Sequence, residues 1–304
     1  MRVTLASSHE GTAANLGRLN ADLAQLSIAA SSGKRLAKPS DDPMGWAGSM
    51  DIKQGLKKLE AYSKNIDFAV SWGNATENAL NQLSDLFVRA KEIAIGSING
   101  TLSEKDTAYL SELDQILEEA VSVGNQKYQG RYLFAVNSGQ PPFDLSEANA
   151  ANSNYPISVE SNLEGTFTVR VGESSEQKVN VSGADTFLYD PAGDGENSLQ
   201  HLVKLRKAIA DGDTDAISQE MEFIDTAIEG FSKQTSIVGS RLAGLERRQN
   251  FLDDMEIGQK SNLSQIEDAD MVRTILQLQQ KQTAYQAALQ VTSMLNGLNL
   301  AQYL

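Results

Sequence analysis

Leu16-Gly17-Arg18-Leu19-Asn20-Ala21-Asp22-Leu23-Ala24-Gln25-Leu26 decides the class of fold, because its leucines recur at spacings of three, four and three. That is the a/d rhythm of a coiled-coil seam, in which each leucine inserts among side chains of a facing helix. The spacing predicts a helix over about residues 12–32. It stops at Ser31-Ser32-Gly33, where glycine supplies a left-handed C-terminal cap. One amphipathic helix cannot bury its own stripe, so this segment requires a partner.

A polar turn follows, Lys38-Pro39-Ser40-Asp41-Asp42-Pro43. Asp41 or Asp42 can cap the next helix, and Pro43 has the backbone angle of a first helical turn. That second helix is expected over roughly 43–98, with a stripe including Trp46, Met50, Leu56, Leu59, Ile66, Val70, Leu80, Leu83, Phe87 and Ile93. Asn99-Gly100 breaks it. Ser103 opens a third helix with Asp106 in its first turn, Leu110, Leu113, Leu117 and Val121 on its buried face, and an end near Gly130.

From about 131 to 194 the pattern changes to short alternating runs among glycine, proline and asparagine. Thr166–Val171 and Gln177–Val181 alternate at period two across Gly172-Glu173-Ser174-Ser175-Glu176, which predicts a hairpin, and Tyr155–Val159 is a third candidate strand. Helical spacing returns at Leu199, Leu202, Leu205 and Ile209, and breaks at Asp211-Gly212-Asp213. It then runs from Ile217 through Met221, Ile224, Ile228, Phe231, Val238, Leu242, Leu245 and Phe251. A final helix is expected over about 266–300, with Ile275, Leu278, Tyr285, Leu289, Val291, Leu295 and Leu298 as its apolar positions. The fold class is therefore mainly α with a β-rich insertion. A long antiparallel helical bundle forms from paired N- and C-terminal segments, and a small β domain lies in the middle.

Composition agrees. Of 304 residues, 40% are hydrophobic and 6% aromatic, thin filling for one large globule but sufficient for helices packed along narrow seams. Six prolines are few enough to leave long helices uninterrupted. The net charge is -14, and it is uneven. Residues 1–40 carry Arg2, Arg18, Lys34, Arg35 and Lys38 against Glu10 and Asp22, and residues 271–304 carry Arg273 and Lys281 with no carboxylate. An acidic middle disfavours nucleic acid and anionic membranes, so neither is an expected partner. The absence of cysteine excludes disulfides, thiolate metal sites and a cysteine nucleophile. The start lacks an apolar h-region, so no cleaved signal peptide is expected, and no run has the apolar length of a membrane span.

Catalytic patterns are missing. His9 and His201 lie far apart in sequence and read as structural residues. Ser32-Gly33-Lys34-Arg35 lacks the first glycine of a phosphate loop and places Arg35 where a magnesium-binding hydroxyl belongs. Asp211, Asp213, Asp215 and Glu222 mimic a calcium loop, but Ala216 stands where glycine is required, and Asp213 or Thr214 reads better as a helix cap. Trp46 and Trp72 read as core or seam residues. No enzymatic activity, cofactor or metal is expected, and assembly is the remaining function.

Three separated motifs narrow this further. Ser31-Ser32-Gly33-Lys34-Arg35-Leu36 with Lys38-Pro39-Ser40-Asp41-Asp42-Pro43 resembles the N-terminal turn of the bacterial flagellin superfamily. Ser264-Gln265-Ile266-Glu267-Asp268-Ala269-Asp270 resembles its C-terminal signature. Asn125–Ala135 with Pro142-Phe143, and the Pro-Ser-Asp-Asp-Pro form of the turn, resemble its hook–filament junction branch, the hook-associated proteins. One departure is Val136, where the family usually has glycine.

The resemblance implies three domains: terminal coiled-coil helices at 1–42 and 264–304, largely disordered in the monomer; a helical rod at 43–135 and 196–263; and a β-rich outer domain at 136–195. It implies export through the flagellar type III channel without signal cleavage, hence an extracellular location in the bacterial flagellum. It further implies a homo-oligomeric layer that joins the hook-side hook-associated adaptor protein to flagellin, and a cytoplasmic export chaperone bound to the C-terminal helix. The expected assembly interface comprises Leu16, Leu19, Leu23, Leu26, Ile275, Leu278, Tyr285, Leu289, Leu295 and Leu298. The alternatives are a filament flagellin or a secretion-needle tip protein.

Overall fold

The computed structural model describes residues 5–98, 105–144, 158–159, 163–188 and 197–301. The helices are α1 (Leu5–Ser32), α2 (Pro43–Ile98), α3 (Lys105–Gly124), α4 (Gly183–Phe187), α5 (Ser198–Asp211), α6 (Thr214–Glu267) and α7 (Met271–Ala301). The strands are β1 (Lys127–Tyr128), β2 (Arg131–Tyr132), β3 (Phe143–Asp144), β4 (Ser158–Val159), β5 (Thr168–Arg170) and β6 (Glu176–Lys178). The class is the one expected: long helices at both ends and small sheets between. The break at Asn99-Gly100 and the start proposed at Ser103 lie outside the described residues. None of the helices described is long and apolar enough to cross a membrane.

The chain forms two compact units, residues 1–59 with 253–304, and residues 60–252. The second unit is organised by heptads. On α6, Ile217, Ile224, Phe231, Val238, Leu245 and Leu252 follow one another at seven-residue intervals, and all are buried. On α2, Ile66, Gly73, Leu80, Phe87 and Ala94 form one buried row, and Ala69, Thr76, Leu83 and Ala90 form the other. A sustained seven-residue repeat keeps one seam facing its partner, which is how helices this long stay packed. The pair runs antiparallel, with Gln249 bonded to Ser63 at 2.8 Å and Lys91 to Asp225 at 2.5 Å. The strict repeat also corrects one expectation. Phe251 is exposed because Leu252, seven residues after Leu245, takes the core position. Gly73 matters because a Cβ there would lie 2.7 Å from Leu242 Cδ2.

Helices α3 and α5 complete this unit, tied by Arg206 Nε to Asp114 at 2.6 Å. Asn197 and Gln200 form a reciprocal capping box at the start of α5, and Gly212 closes it at φ +68°. Asp213 then caps α6, accepting from the backbone of Asp215 and Ala216 at 3.1 Å. The calcium-like spacing is thus a helix boundary. His201 is buried, stacked on Phe223 at 4.1 Å, with Nδ1 2.8 Å from Glu220 Oε2.

The third helix ends at Gly124, earlier than the expected stop near Gly130. Gln129 and Gly130 take φ +48° and +84°, the two positive values of a tight hairpin turn, and β1 pairs with β2 across it. Val136 is buried, and its φ is not positive, so the missing glycine leaves the backbone undisturbed. The predicted hairpin is present as β5 and β6, with Val169 opposite Gln177. The third candidate strand is present as β4, paired with β3. The short α4 carries no periodicity of its own. It is set by Gly183, whose N–H donates to Phe134 O at 2.9 Å and whose absent Cβ would meet that same oxygen at 2.6 Å.

Aromatic rings knit the insert to the helices. Phe187 meets Phe143 at 4.6 Å, Phe134 at 5.2 Å and Phe231 at 6.1 Å, and Phe231 meets Phe87 edge-on at 5.0 Å. Trp72, fully buried, packs with Phe68, Tyr128 and Phe167. Two outcomes follow from this geometry. Phe87→Ala should lower the unfolding free energy of this unit by about 3–5 kcal/mol in urea titrations. Gln129→Gly should raise it by about 0.4–1 kcal/mol, since a non-glycine residue is held at positive φ.

Candidate functional site

Both aspartates of the Pro-Ser-Asp-Asp-Pro turn have defined work. Asp41 Oδ2 accepts from the backbone of Ala37 and Lys38 at 3.1 and 2.9 Å, and Asp42 Oδ1 caps α2 by accepting from Gly45 N at 2.9 Å. The turn bends the chain back after α1, which Gly33 closes at φ +70°. Lys34, Arg35 and Leu36 then run alongside Glu267 and Asp268. Lys34 pairs with Asp268 as an antiparallel bridge, Arg35 N donates to Glu267 O at 2.6 Å, and Ala269 N donates to Gly33 O at 2.9 Å. The two terminal motifs therefore meet as one clasp.

Charge reinforces the backbone pairing. Lys34 Nζ lies 2.6 Å from Asp268 Oδ1 and 3.5 Å from Glu267 Oε2. Lys53, on α2, donates to Glu267 Oε1. Ser264 donates to Asp268, and Arg35 Nη2 donates to Ile266 O at 2.8 Å. Glu267 is only 5% exposed. Burial alone would push its carboxyl pKa up. Hydrogen bonds from Lys53 and Ser49, with the charges of Lys53 and Lys34, outweigh that and hold it below its ordinary 4.5. Asp268 is held low chiefly by its hydrogen bond from Lys34, and Lys34 is raised by the same contact.

From the clasp, α1 and α7 run side by side in opposite directions. Thr12, Leu16, Leu19, Leu23 and Leu26 keep the heptad spacing, and each is half-buried against α7. The facing row on α7 is Thr274, Leu278, Lys281, Tyr285, Ala288 and Thr292, again at heptad spacing. It contains only two large apolar side chains. Lys281 is drawn in by Asp22, at 2.6 Å. That choice of face leaves Ile275 and Leu289 outside the seam, 44% and 45% exposed, alongside Val272, Leu276, Val291 and Met294. Of the ten expected interface residues, six line the seam within the chain, two lie on the outer face, and the side chains of Leu295 and Leu298 are outside those described. A groove of about 660 Å³ flanks the seam, lined by Gln25, Leu26, Ala29, Arg273 and Gln277 among others.

Charge separates by unit. The unit holding both ends has eleven cationic and eleven anionic side chains; the other has 15 and 29, so the whole net charge of -14 belongs to it. Among the described residues, no three His, Asp or Glu side chains gather as a metal-binding group. Lys53 and Ser49 are the site residues that sequence reading missed. They sit within the expected stripe of α2, and only the buried Glu267 gives them a role.

Comparison with known proteins bears on the same segments. The family model for the bacterial flagellin N-terminal helical region matches residues 5–138, and that for the C-terminal helical region matches residues 221–304. The chain belongs to the bacterial flagellin family. It is 26% identical to flagellar hook-associated protein 3 of Salmonella typhimurium over 99% of both chains. It is 23% identical to a flagellin of Listeria monocytogenes over 92% of this chain and 91% of that one. Among solved structures, the flagellar junction protein FlgL from Legionella pneumophila has a similar fold, with TM-score 0.55 and 16% identity over 72% of this chain and 99% of that one.

A carboxylate with a depressed pKa adds stability above its unfolded pKa and loses it as pH falls through the lower, folded value. The Glu267 contribution should therefore be complete above about pH 4.5 and disappear only below it. Trp46, half-buried beneath Lys53 at 6.0 Å, reports on the clasp. In a Trp72→Phe background, acrylamide quenching of Trp46 should stay constant down to about pH 4.5 and rise below it, while Glu267→Gln should show the acid level of quenching at neutral pH.

Proposed function

We propose that this chain is a structural subunit of the bacterial flagellum at the hook–filament junction. The end-to-end correspondence with hook-associated protein 3, over 99% of each chain, carries this assignment. As a junction subunit it forms a homo-oligomeric layer between the hook-side adaptor and flagellin, on the outside of the cell. It gets there by flagellar type III export without cleavage, escorted by a cytoplasmic chaperone on its C-terminal helix. In this scheme residues 1–42 and 264–304 are the assembling ends, 43–135 and 196–263 the rod, and 136–195 the outer domain.

The terminal helices supply the physical basis. Ile275 and Leu289, with Val272, Leu276, Val291 and Met294, leave an apolar strip on α7 that α1 does not cover. Packing such a strip against a neighbouring subunit gains about 25 cal/mol per Å² of apolar surface removed from water. Before export the same strip is a hazard, which suits a chaperone on this helix. Filament flagellin is the second reading, favoured by the nearly full-length match to the Listeria protein.

Deleting the gene separates the two. A junction protein's loss should leave hooks without filaments, seen by electron microscopy, with flagellin released to the medium; filaments persisting on those hooks would rule the junction out. Reintroducing the chain with Ile275→Glu and Leu289→Glu should fail to restore filaments although the purified variant keeps its helix content. Restored filaments would show that the outer strip is not the interface.

A further inference from the structure

The charges of α6 are sorted along its length. From Thr214 to Ser232 it carries Asp215, Glu220, Glu222, Asp225 and Glu229 and no cation. From Lys233 to Arg248 it carries Lys233, Arg241, Arg247 and Arg248, with Glu246 as the one carboxylate. Glu220 and Asp225 are taken up inside the chain, by His201 and Lys91. Asp215, Glu222 and Glu229 are exposed and, like Arg247, enter no ion pair among the described residues.

These groups share one face. Asp215, Glu222 and Glu229 recur at seven-residue intervals, and Lys233, Ser240 and Arg247 then do the same, on the side of the helix away from the buried row Ile217–Leu252. Between the charges the surface is low. A groove of about 590 Å³ runs among Lys233, Ser236, Ile237, Ser240 and Arg241. A Cβ at Gly244 would meet only the tip of Arg247, at 3.9 Å, so nothing else in the chain fills that space. A face sorted into an acidic and a basic band attracts a copy of itself once the two are displaced along the helix axis.

The spacing sets the displacement. Asp215 and Lys233, Glu222 and Ser240, and Glu229 and Arg247 are each eighteen positions apart. Eighteen residues are five whole turns, about 27 Å of helix, so a parallel neighbour shifted by that much presents the same face with the opposite charge. Unshifted, the three carboxylates would face themselves, and like charges in contact repel. An antiparallel pair also matches signs, with Asp215 on Arg247 and Glu229 on Lys233, but it uses both bands in one closed dimer. A layer of like-oriented copies needs a separate band for each of two neighbours.

We infer that the outer face of α6 is a contact between copies of this chain, the acidic band of one lying parallel on the basic band of the next with an eighteen-residue stagger. The choice of parallel copies rests on the junction reading above; the banding does not.

The absence of cysteine makes the test direct. Thr226→Cys with Gly244→Cys, eighteen positions apart on this face, is placed in the full-length chain in a strain lacking the gene, and its isolated flagella are oxidised. A ladder of disulfide-linked dimers, trimers and larger species is expected. Thr226→Cys with Ser236→Cys, which meet only in the antiparallel pair, should give none. Adding Arg247→Glu to the first pair should lower the yield of laddered chain about tenfold, whether through lost flagella or lost cross-links, and Glu229→Arg in the same chain should restore it. No ladder from the first pair, dimers from the second, or a charge swap that restores nothing would overturn the contact. Immunogold labelling of the same flagella tests the junction reading separately: label along the whole filament would refute that reading, while the ladder would still report the contact.

Discussion

Two helices from opposite ends of the chain must find each other across more than two hundred intervening residues, and the rest of the structure follows from that requirement. Chain entropy opposes such a meeting whatever the helices are made of. What the meeting needs is length in the intervening chain, and α2 and α6 run antiparallel within the 60–252 unit. Strand pairing cannot supply that length, but two helices of 56 and 54 residues can.

Helices of that length tolerate little error in phase. An apolar stripe with the natural 3.6-residue period drifts around a long helix, whereas a strict seven-residue period does not. The unbroken row from Ile217 to Leu252 shows the constraint being met at every heptad. Where the chain must leave helical geometry it does so abruptly. Gly33, Gly130 and Gly212 carry positive φ, and Asp42, Asp213 and Asp270 cap the helix that follows their turn. At the α5–α6 and α6–α7 boundaries such breaks confine irregular backbone to two and three residues, 212–213 and 268–270.

The helices were legible in the sequence because periodicity is a local property. The α5–α6 break, the hairpin after Thr166 and the Asp213 cap could all be read from a few residues each. Three features were not. The end of α3 was placed too late because the β1–β2 hairpin that follows it turns at Gln129 and Gly130, and glutamine gives no sign of positive φ. Phe251 and Leu252 are both apolar, so only the heptad count chooses between them. On α7, the apolar residues suggested a seam through Ile275 and Leu289, but the row facing α1 is the more polar one that holds Thr274, Leu278, Lys281 and Tyr285. The clasp was half legible. Its two motifs could be recognised by resemblance, but the lysine that joins α2 to Glu267 looks like any solvated charge until the fold is known.

Net charge is usually treated as one number for a molecule, yet here it describes only one of the two units. The unit containing both ends is neutral and the other carries all fourteen excess negative charges. Like-charged bodies repel over about a Debye length, roughly 8 Å at physiological ionic strength, and neutral ones do not. Crowding copies of this chain side by side therefore costs little at the neutral unit and considerably more at the acidic one. In colloidal terms only the acidic unit carries the charge that keeps neighbours apart. Dissolved salt shortens the range of that repulsion and so lowers the cost of crowding at the acidic unit.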